Sequence, residues 1–173
     1  MNKKADVWIS AVIYVGLAIT IITIVLAASL PVINKIRDKN VAIQTKEIMH
    51  NLDTTIRDTV REGPGARRTS TIKISRGEFN IEDDAVTWTM KDSKFMFSQP
   101  GVEKKEGNLI ILTTNSNIKD EYIVEITLKY DNIQLTSNLK TLMGQYNLGI
   151  TNEGPITIGT TNKIKVTINE LTL

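Results

Sequence analysis

The chain contains no cysteine and a single histidine, His50. The lack of cysteine excludes a disulfide framework, a thiolate nucleophile and a structural zinc site built on sulfur. One imidazole leaves few options for acid–base chemistry near neutral pH or for binding transition metals. No serine lies in a nucleophile elbow, and no asparagine is followed two positions later by serine or threonine. The composition therefore favours a protein that is not an enzyme, with no cofactor and no catalytic residues.

The chain has almost equal numbers of positive and negative charges, with 21 Lys and Arg against 19 Asp and Glu. Binding to nucleic acid needs a concentrated basic face, so nucleic acid is not predicted as a partner. The acidic run at residues 82–84 is too short for a calcium loop and is interpreted as a hairpin tip. Residues 63–68 lack the Lys-Ser or Lys-Thr ending of a phosphate-binding loop. No metal site is predicted.

A long apolar run stands near the N-terminus. From Val7 to Ile33 there are 27 consecutive residues without a charge, more than the roughly 20 that cross a bilayer as a helix. Two lysines precede the run and three basic residues follow it within six positions, so the basic count does not fix its orientation. A conventional secretory signal peptide, with small residues at 27–29 near its cleavage site, has a shorter apolar region. The run therefore predicts a membrane-spanning helix.

Helical periodicity continues after the apolar run. Over residues 34–61, apolar side chains recur at spacings of four and seven, at Val41, Ile48, Leu52, Ile56 and Val60, with Met49 widening the stripe. The opposite face carries Lys39, Lys46, Asp53 and Arg57. One helix over residues 6–62 is predicted, apolar over 7–33 and amphipathic over 34–61. Pro31 predicts a bend, and Gly63-Pro64-Gly65 predicts the end of the helix.

Small residues are spaced by four within the apolar part, Gly16 with Thr20 and Thr23 with Ala27. Such spacing lets helix backbones approach closely where water supplies no driving force. We therefore predict that this part of the chain packs against other helices. The predicted packing residues are Val7, Ile9, Ile13, Gly16, Thr20, Thr23, Ala27 and Pro31.

After Gly65 the period changes to two and β-branched residues dominate. Residues 63–70 are predicted as a linker and 71–173 as an antiparallel β domain. The predicted strands are Thr71–Ser75, Glu78–Ile81, Ala85–Met90, Lys94–Ser98, Leu109–Thr114, Tyr122–Tyr130, Ile133–Thr136, Tyr146–Ile150, Ile156–Ile158 and Ile164–Ile168. The fold class is thus α+β, a long N-terminal helix followed by a β-sandwich or a barrel-like domain.

The segment Lys3-Lys4-Ala5-Asp6, directly before Val7 and the apolar helix, resembles the class III signal peptide of type IV pilins, and with the all-β domain it is similar to the archaeal kind. The resemblance implies cleavage between Ala5 and Asp6, which makes residues 1–5 the signal peptide. Asp6 departs from the uncharged residue of many relatives, and Ser10 stands where bacterial pilins carry a glutamate.

The same resemblance implies a life cycle and a set of partners. The precursor resides in the cell membrane, a prepilin peptidase cuts it, and an assembly ATPase and a platform protein help to build an extracellular filament of identical subunits. The alternative left open by the residues is a single-pass surface protein whose β domain binds a ligand and never polymerises.

Overall fold

A computed structural model describes the backbone of residues 3–82, 84–139 and 141–171, and the side chains of these residues except 3–10 and 141. One α-helix, α1, runs from Lys3 to Arg61 with Pro31 inside it. The helix ends where the sequence predicts, because Gly63 takes a φ of 97° that suits a left-handed cap and Pro64 cannot continue the helix. The bend predicted at Pro31 stays a prediction.

Eight strands follow α1 and form one sheet in the order β3-β4-β5-β2-β1-β7-β8-β6. Their bounds are β1 Arg67–Ile81, β2 Ala85–Ser93, β3 Lys104–Glu106, β4 Leu109–Asn115, β5 Tyr122–Lys129, β6 Ile133–Ser137, β7 Thr141–Ile158 and β8 Thr161–Glu170. All neighbouring strands pair antiparallel except β6 and β8, which are parallel. The α+β class with a C-terminal β domain is confirmed, and the sheet is mixed.

The core forms between the second half of α1 and one face of the sheet. Buried positions on the helix recur at alternating spacings of four and three: Asp38, Ala42, Thr45, Met49, Leu52, Ile56 and Thr59. Alternate residues of the strands face them, as in β5, where Val124, Ile126 and Leu128 are fully buried. This alternation is the one that the sequence predicts for residues 122–130. The helix half and the sheet therefore share one apolar core.

Several predicted strand limits are wrong. Thr71–Ser75 and Glu78–Ile81 are parts of β1, which begins at Arg67, within the predicted linker. Tyr146–Ile150 and Ile156–Ile158 are parts of β7, because Glu153-Gly154-Pro155 forms a bulge inside the strand and does not end it. Lys94–Ser98 is not a strand, and the short β3 was not predicted. The strands form one sheet, whereas a sandwich would need two.

The helix also differs in detail from its prediction. Asp53 was placed on the solvent face, yet its side chain is only 13% exposed. Arg57 Nε donates to Asp53 Oδ1 over 3.0 Å, and Asn108 Nδ2 donates to the same oxygen over 3.3 Å. The chain divides into two compact units, Met1–Arg37 and Asp38–Leu173. The unit that contains the sheet therefore begins inside α1, at Asp38.

Candidate membrane and assembly helix

The apolar half of α1 leaves its side chains uncovered. Between Val12 and Ile36 the large apolar side chains are 52% to 71% exposed, and they point in all directions around the helix. By length and composition this helix is able to cross a membrane. Its 27-residue uncharged run is about 40 Å long, against a hydrocarbon core of about 30 Å. An apolar environment is required to cover it.

Three hydroxyl groups among the described residues of this segment, those of Thr20, Thr23 and Ser29, are satisfied within the helix. Thr20 Oγ1 donates to the carbonyl of Gly16 and Thr23 Oγ1 to that of Ile19, each over 2.8 Å. Ser29 Oγ donates to the carbonyl of Val25 over 2.7 Å. A hydroxyl bonded in this way carries no unsatisfied donor into lipid or into a dry helix interface. These polar residues are thus compatible with removal from water.

The predicted packing residues divide into two groups. Ile13, Gly16, Thr20, Thr23, Ala27 and Pro31 lie on exposed helix, and a Cβ added at Gly16 would meet no atom of this chain within 4 Å. A neighbouring helix backbone would find the same open space. The side chains of Lys3, Lys4, Ala5, Asp6, Val7 and Ile9 lie outside the described residues, as do Met1 and Asn2 entirely.

A buried carboxylate marks the first residue of the unit that carries the sheet. Asp38 is 1% exposed. Its Oδ1 accepts a hydrogen bond from Arg76 Nη1, and its Oδ2 accepts one from the backbone N–H of Lys94 over 2.9 Å. Arg76 Nη2 also donates to the carbonyls of Lys91 and Asp92. The carboxylate thus joins α1 to β1 and to the segment after β2.

Asp38 is not among the predicted site residues, although the sequence carries a signal for it. Residue 38 is spaced by four from Ala42 and by seven from Thr45, in phase with the apolar positions 49, 52 and 56. A carboxylate in that phase is expected to be buried, and a buried carboxylate requires a cationic or hydrogen-bonding partner. The identity of that partner, Arg76, depends on the bulge in β1 and was not predictable from spacing.

A polar cleft of about 270 Å³ lies on the surface of the sheet unit, beside a wider and more open hollow that includes Lys46 and Glu106. The lining of the cleft includes Arg57, Arg61, Asn108, Lys129 and Asp131. Arg57 is already paired with Asp53, and Arg61 lies 3.6 Å from Asp58. Among the described residues no group of three or more His, Cys, Asp or Glu side chains is placed to hold a metal ion. His50, next to this region, is exposed on α1.

Comparison of the chain with protein-family models, with curated proteins and with solved structures finds no match. The architecture, a long apolar N-terminal helix followed by a β sheet, is compatible with that of a pilin-like protein.

Proposed function

We propose that this protein is a structural subunit of an extracellular, type IV pilus-like filament. The observation that carries the proposal is the apolar half of α1, whose large side chains are more than half exposed on every side of the helix. Burying ten or more such side chains is worth on the order of 15 to 30 kcal/mol. The helix accordingly resides in lipid before assembly and among identical helices afterwards.

Two features of the chain support movement between these environments. No charge interrupts residues 7–33, and the hydroxyls of Thr20, Thr23 and Ser29 are bonded to carbonyls of the helix itself. Transfer from lipid to a sheath of identical helices then exposes no apolar surface to water. A head-to-tail contact of this kind repeats without closing, which produces a filament.

The N-terminal segment supplies the processing site in this proposal. Lys3 and Lys4 mark the precursor for a prepilin peptidase, which cuts between Ala5 and Asp6. An assembly ATPase and a platform protein then extract the mature helix from the membrane. The sheet unit, Asp38–Leu173, is displayed outside the helical core of the filament.

A single-pass surface protein is the second candidate. The observation that favours it is the polar cleft beside Arg57 and Lys129, whose mixed amide and charged lining suits a small polar ligand. In this candidate the helix stays in lipid and the subunits remain separate.

Shearing of cells that produce the protein distinguishes the two. We expect the chain in sheared filaments seen by electron microscopy, and we expect Ile22→Lys to lower filament yield at least about tenfold, since a lysine in the apolar helix is costly in lipid and in the sheath. Thr54→Lys, at an exposed position of the same helix, is the control and leaves the yield unchanged. Wild-type protein found only in the membrane fraction, with no filament, would favour the second candidate.

A further inference from the structure

The sheet unit exposes several large apolar side chains, and three of them lie in segments that hydrogen bonds, ion pairs or strand pairing connect to Asp38 or to its partner Arg76. Ile118, in the loop between β4 and β5, is 55% exposed, and Met143, in β7, is 65% exposed. Met96, in the segment after β2, is 43% exposed. We call these three residues the entry rim. They stand apart from the core, and the helix half that packs on the sheet does not cover them.

Hydrogen bonds and ion pairs tie the entry rim to Asp38. Lys94, two residues before Met96, donates its backbone N–H to Asp38, and its ammonium group lies 2.9 Å from Glu121 Oε1 at the end of the loop that carries Ile118. The backbone N–H of Glu121 in turn donates to the carbonyl of Ile118. These bonds hold the two loops beside the first residue of the unit.

Met143 is connected to Asp38 through the bulge in β1. The pairing of β1 with β7 shifts between Ile74 and Phe79, so that a bulge in β1 lies opposite Met143. Arg76, within that bulge, donates to Asp38. The exposed methionine therefore belongs to the same end of the sheet unit as Ile118.

Counting along the chain places Asp38 near the membrane surface. The uncharged run ends at Ile33 and the first charged residue after it is Lys35, so the hydrocarbon core on this side ends at about Ile33. Asp38 follows five residues later, about 8 Å further along a helix. The headgroup layer is itself about 5 to 8 Å thick on each side of the bilayer. Groups bonded to Asp38 are thus within reach of lipid.

The charges around the entry rim show whether electrostatic attraction or apolar burial would hold it at the lipid surface. In the segments 94–103 and 116–121, Lys94 and Lys119 are offset by Glu103, Asp120 and Glu121, so these segments carry no positive excess. Three basic side chains, Lys35, Arg37 and Lys39, flank Asp38 on the helix itself. Attraction to anionic headgroups therefore belongs to the helix, and the contribution of the rim is apolar.

We propose that, in the membrane-resident precursor, the entry rim inserts Ile118, Met143 and Met96 into the boundary between headgroups and acyl chains and so seats the sheet unit on the lipid surface. This inference rests on the membrane residence of the helix and does not depend on polymerisation. Unbranched methionine side chains adapt to such an irregular environment. Shallow insertion of apolar side chains is a usual mode of interfacial anchoring.

The lack of native cysteine permits a direct test with single-cysteine variants of the full chain. Ile118→Cys carries an environment-sensitive fluorophore, and the protein is reconstituted in two sets of phosphatidylcholine vesicles, one with lipids brominated near the headgroup to report on position 118 and one with lipids brominated deep in the acyl chains to report on position 22. Ile158→Cys is the matched control, because Ile158 is also exposed, at 45%. It lies in β7 four residues after Gly154, and Gly154 is next to Pro64, which follows the C-terminal end of α1. Position 158 is therefore far from Asp38 along the helix. Ile22→Cys reports whether the helix itself is in lipid.

We expect at least about threefold more quenching at position 118 than at 158, at the depth of about 5 to 10 Å typical of interfacial insertion. Partial replacement of phosphatidylcholine by phosphatidylglycerol should change the quenching at 118 little. Quenching at 22 without quenching at 118 would overturn the rim proposal while leaving membrane residence intact. No quenching at 22 would overturn both. A blue shift at 118 without lipid quenching would assign the rim to a contact with another copy and also overturn the proposal.

Discussion

At the scale of single residues, Asp38 is the side chain on which the start of the sheet unit depends. Its carboxylate is buried and accepts hydrogen bonds from Arg76 and from the backbone of Lys94. Removal of one member of a buried ion pair is costly because the other charge is left without its partner. Arg76 keeps a third of its side chain in solvent, which reduces that cost.

We predict that Asp38→Ala lowers the free energy of unfolding by about 2 to 3 kcal/mol. Asp58→Ala is the control, because Asp58 is 33% exposed and its contacts with Arg61 and Arg68 are 3.6 and 3.7 Å long. That surface substitution should cost less than about 1 kcal/mol. Denaturant unfolding of the full chain in detergent micelles measures both, and equal losses would mean that Asp38 has no special role.

Gly77 occupies a position that no other residue fits. Its φ is 90°, and a Cβ there would lie 2.6 Å from Trp88 Nε1 and 2.8 Å from the carbonyl oxygen of Thr89. Trp88 is fully buried and donates its Nε1–H to the carbonyl of Arg76 over 2.9 Å. An added methyl group would therefore disturb both the core and the bulge that presents Arg76.

We predict that Gly77→Ala costs about 3 kcal/mol, from strain at positive φ and from overpacking against Trp88. Gly101→Ala separates the two causes, since Gly101 has a φ of 79° with open space around it. That change should cost only about 1 kcal/mol. The same unfolding measurement checks the pair, and a loss at Gly77 no larger than that at Gly101 would show that the Trp88 contact carries no energy.

Tyr130 makes the free energy of unfolding depend on pH in the alkaline range. Burial raises the pKa of its hydroxyl above the ordinary range, and the negative charge of the neighbouring Asp53 raises it further. The hydroxyl oxygen is buried beside the Asp53 carboxylate. In the unfolded chain a tyrosine loses its proton near pH 10. Above that pH the folded state retains a proton that the unfolded state has lost, so stability falls as pH rises.

We predict a loss of about 1.4 kcal/mol per pH unit from this group above about pH 10. Tyr130→Phe should remove that part of the slope, whereas Tyr122→Phe, at the other end of β5, should leave it. Denaturant titrations between about pH 9 and pH 11 compare the three proteins. A slope unchanged by Tyr130→Phe would show that the hydroxyl ionises freely in the folded protein.

At the scale of elements, the two halves of α1 differ in what covers their apolar side chains. Residues from Asp38 onward bury one stripe on the sheet, while the large apolar side chains between Val12 and Ile36 are exposed on all sides. The first half must therefore find its partners outside this chain. If those partners are copies of the same helix, side chains on the small-residue face come close together in the filament.

Cysteine at position 20 tests that contact in a chain that has no other thiol. We predict that Thr20→Cys forms disulfide-linked dimers on mild oxidation of sheared filaments, because small residues allow the helices to approach within disulfide range. Thr160→Cys, in the exposed turn between β7 and β8, is the control and should remain monomeric. Dimers at 160 but none at 20 would mean that the sheet units, and not the helices, hold the subunits together.

The elements show how far a pattern predicts a fold. The end of α1 and the alternation in β5 were predictable, because Gly-Pro-Gly ends a helix and strict alternation of apolar and polar residues indicates a half-buried strand. The continuity of β1 and β7 was not, because glycine within a strand signals a bulge and a turn equally well. Asp53 was assigned to solvent because a charged residue usually lies there, whereas Arg57 and Asn108 supply it with hydrogen-bond partners at a partly buried position.

At the scale of the whole molecule, the chain combines a unit that has its own buried core with an apolar helix that is not covered by the rest of the chain. Asp38–Leu173 buries its own core, and the apolar helix before it requires lipid or other subunits. The expectation that the protein is not an enzyme stays a prediction.

The central claim is that the apolar helix is kept in the mature protein. Mass spectrometry of the N-terminal peptide of the protein isolated from the cell surface tests this claim most directly. The account predicts a mature chain that begins at Asp6 and retains all of residues 7–33. A soluble surface form that begins after Ser29 would contradict it, because the segment proposed to fill first the membrane and then the filament core would have been removed.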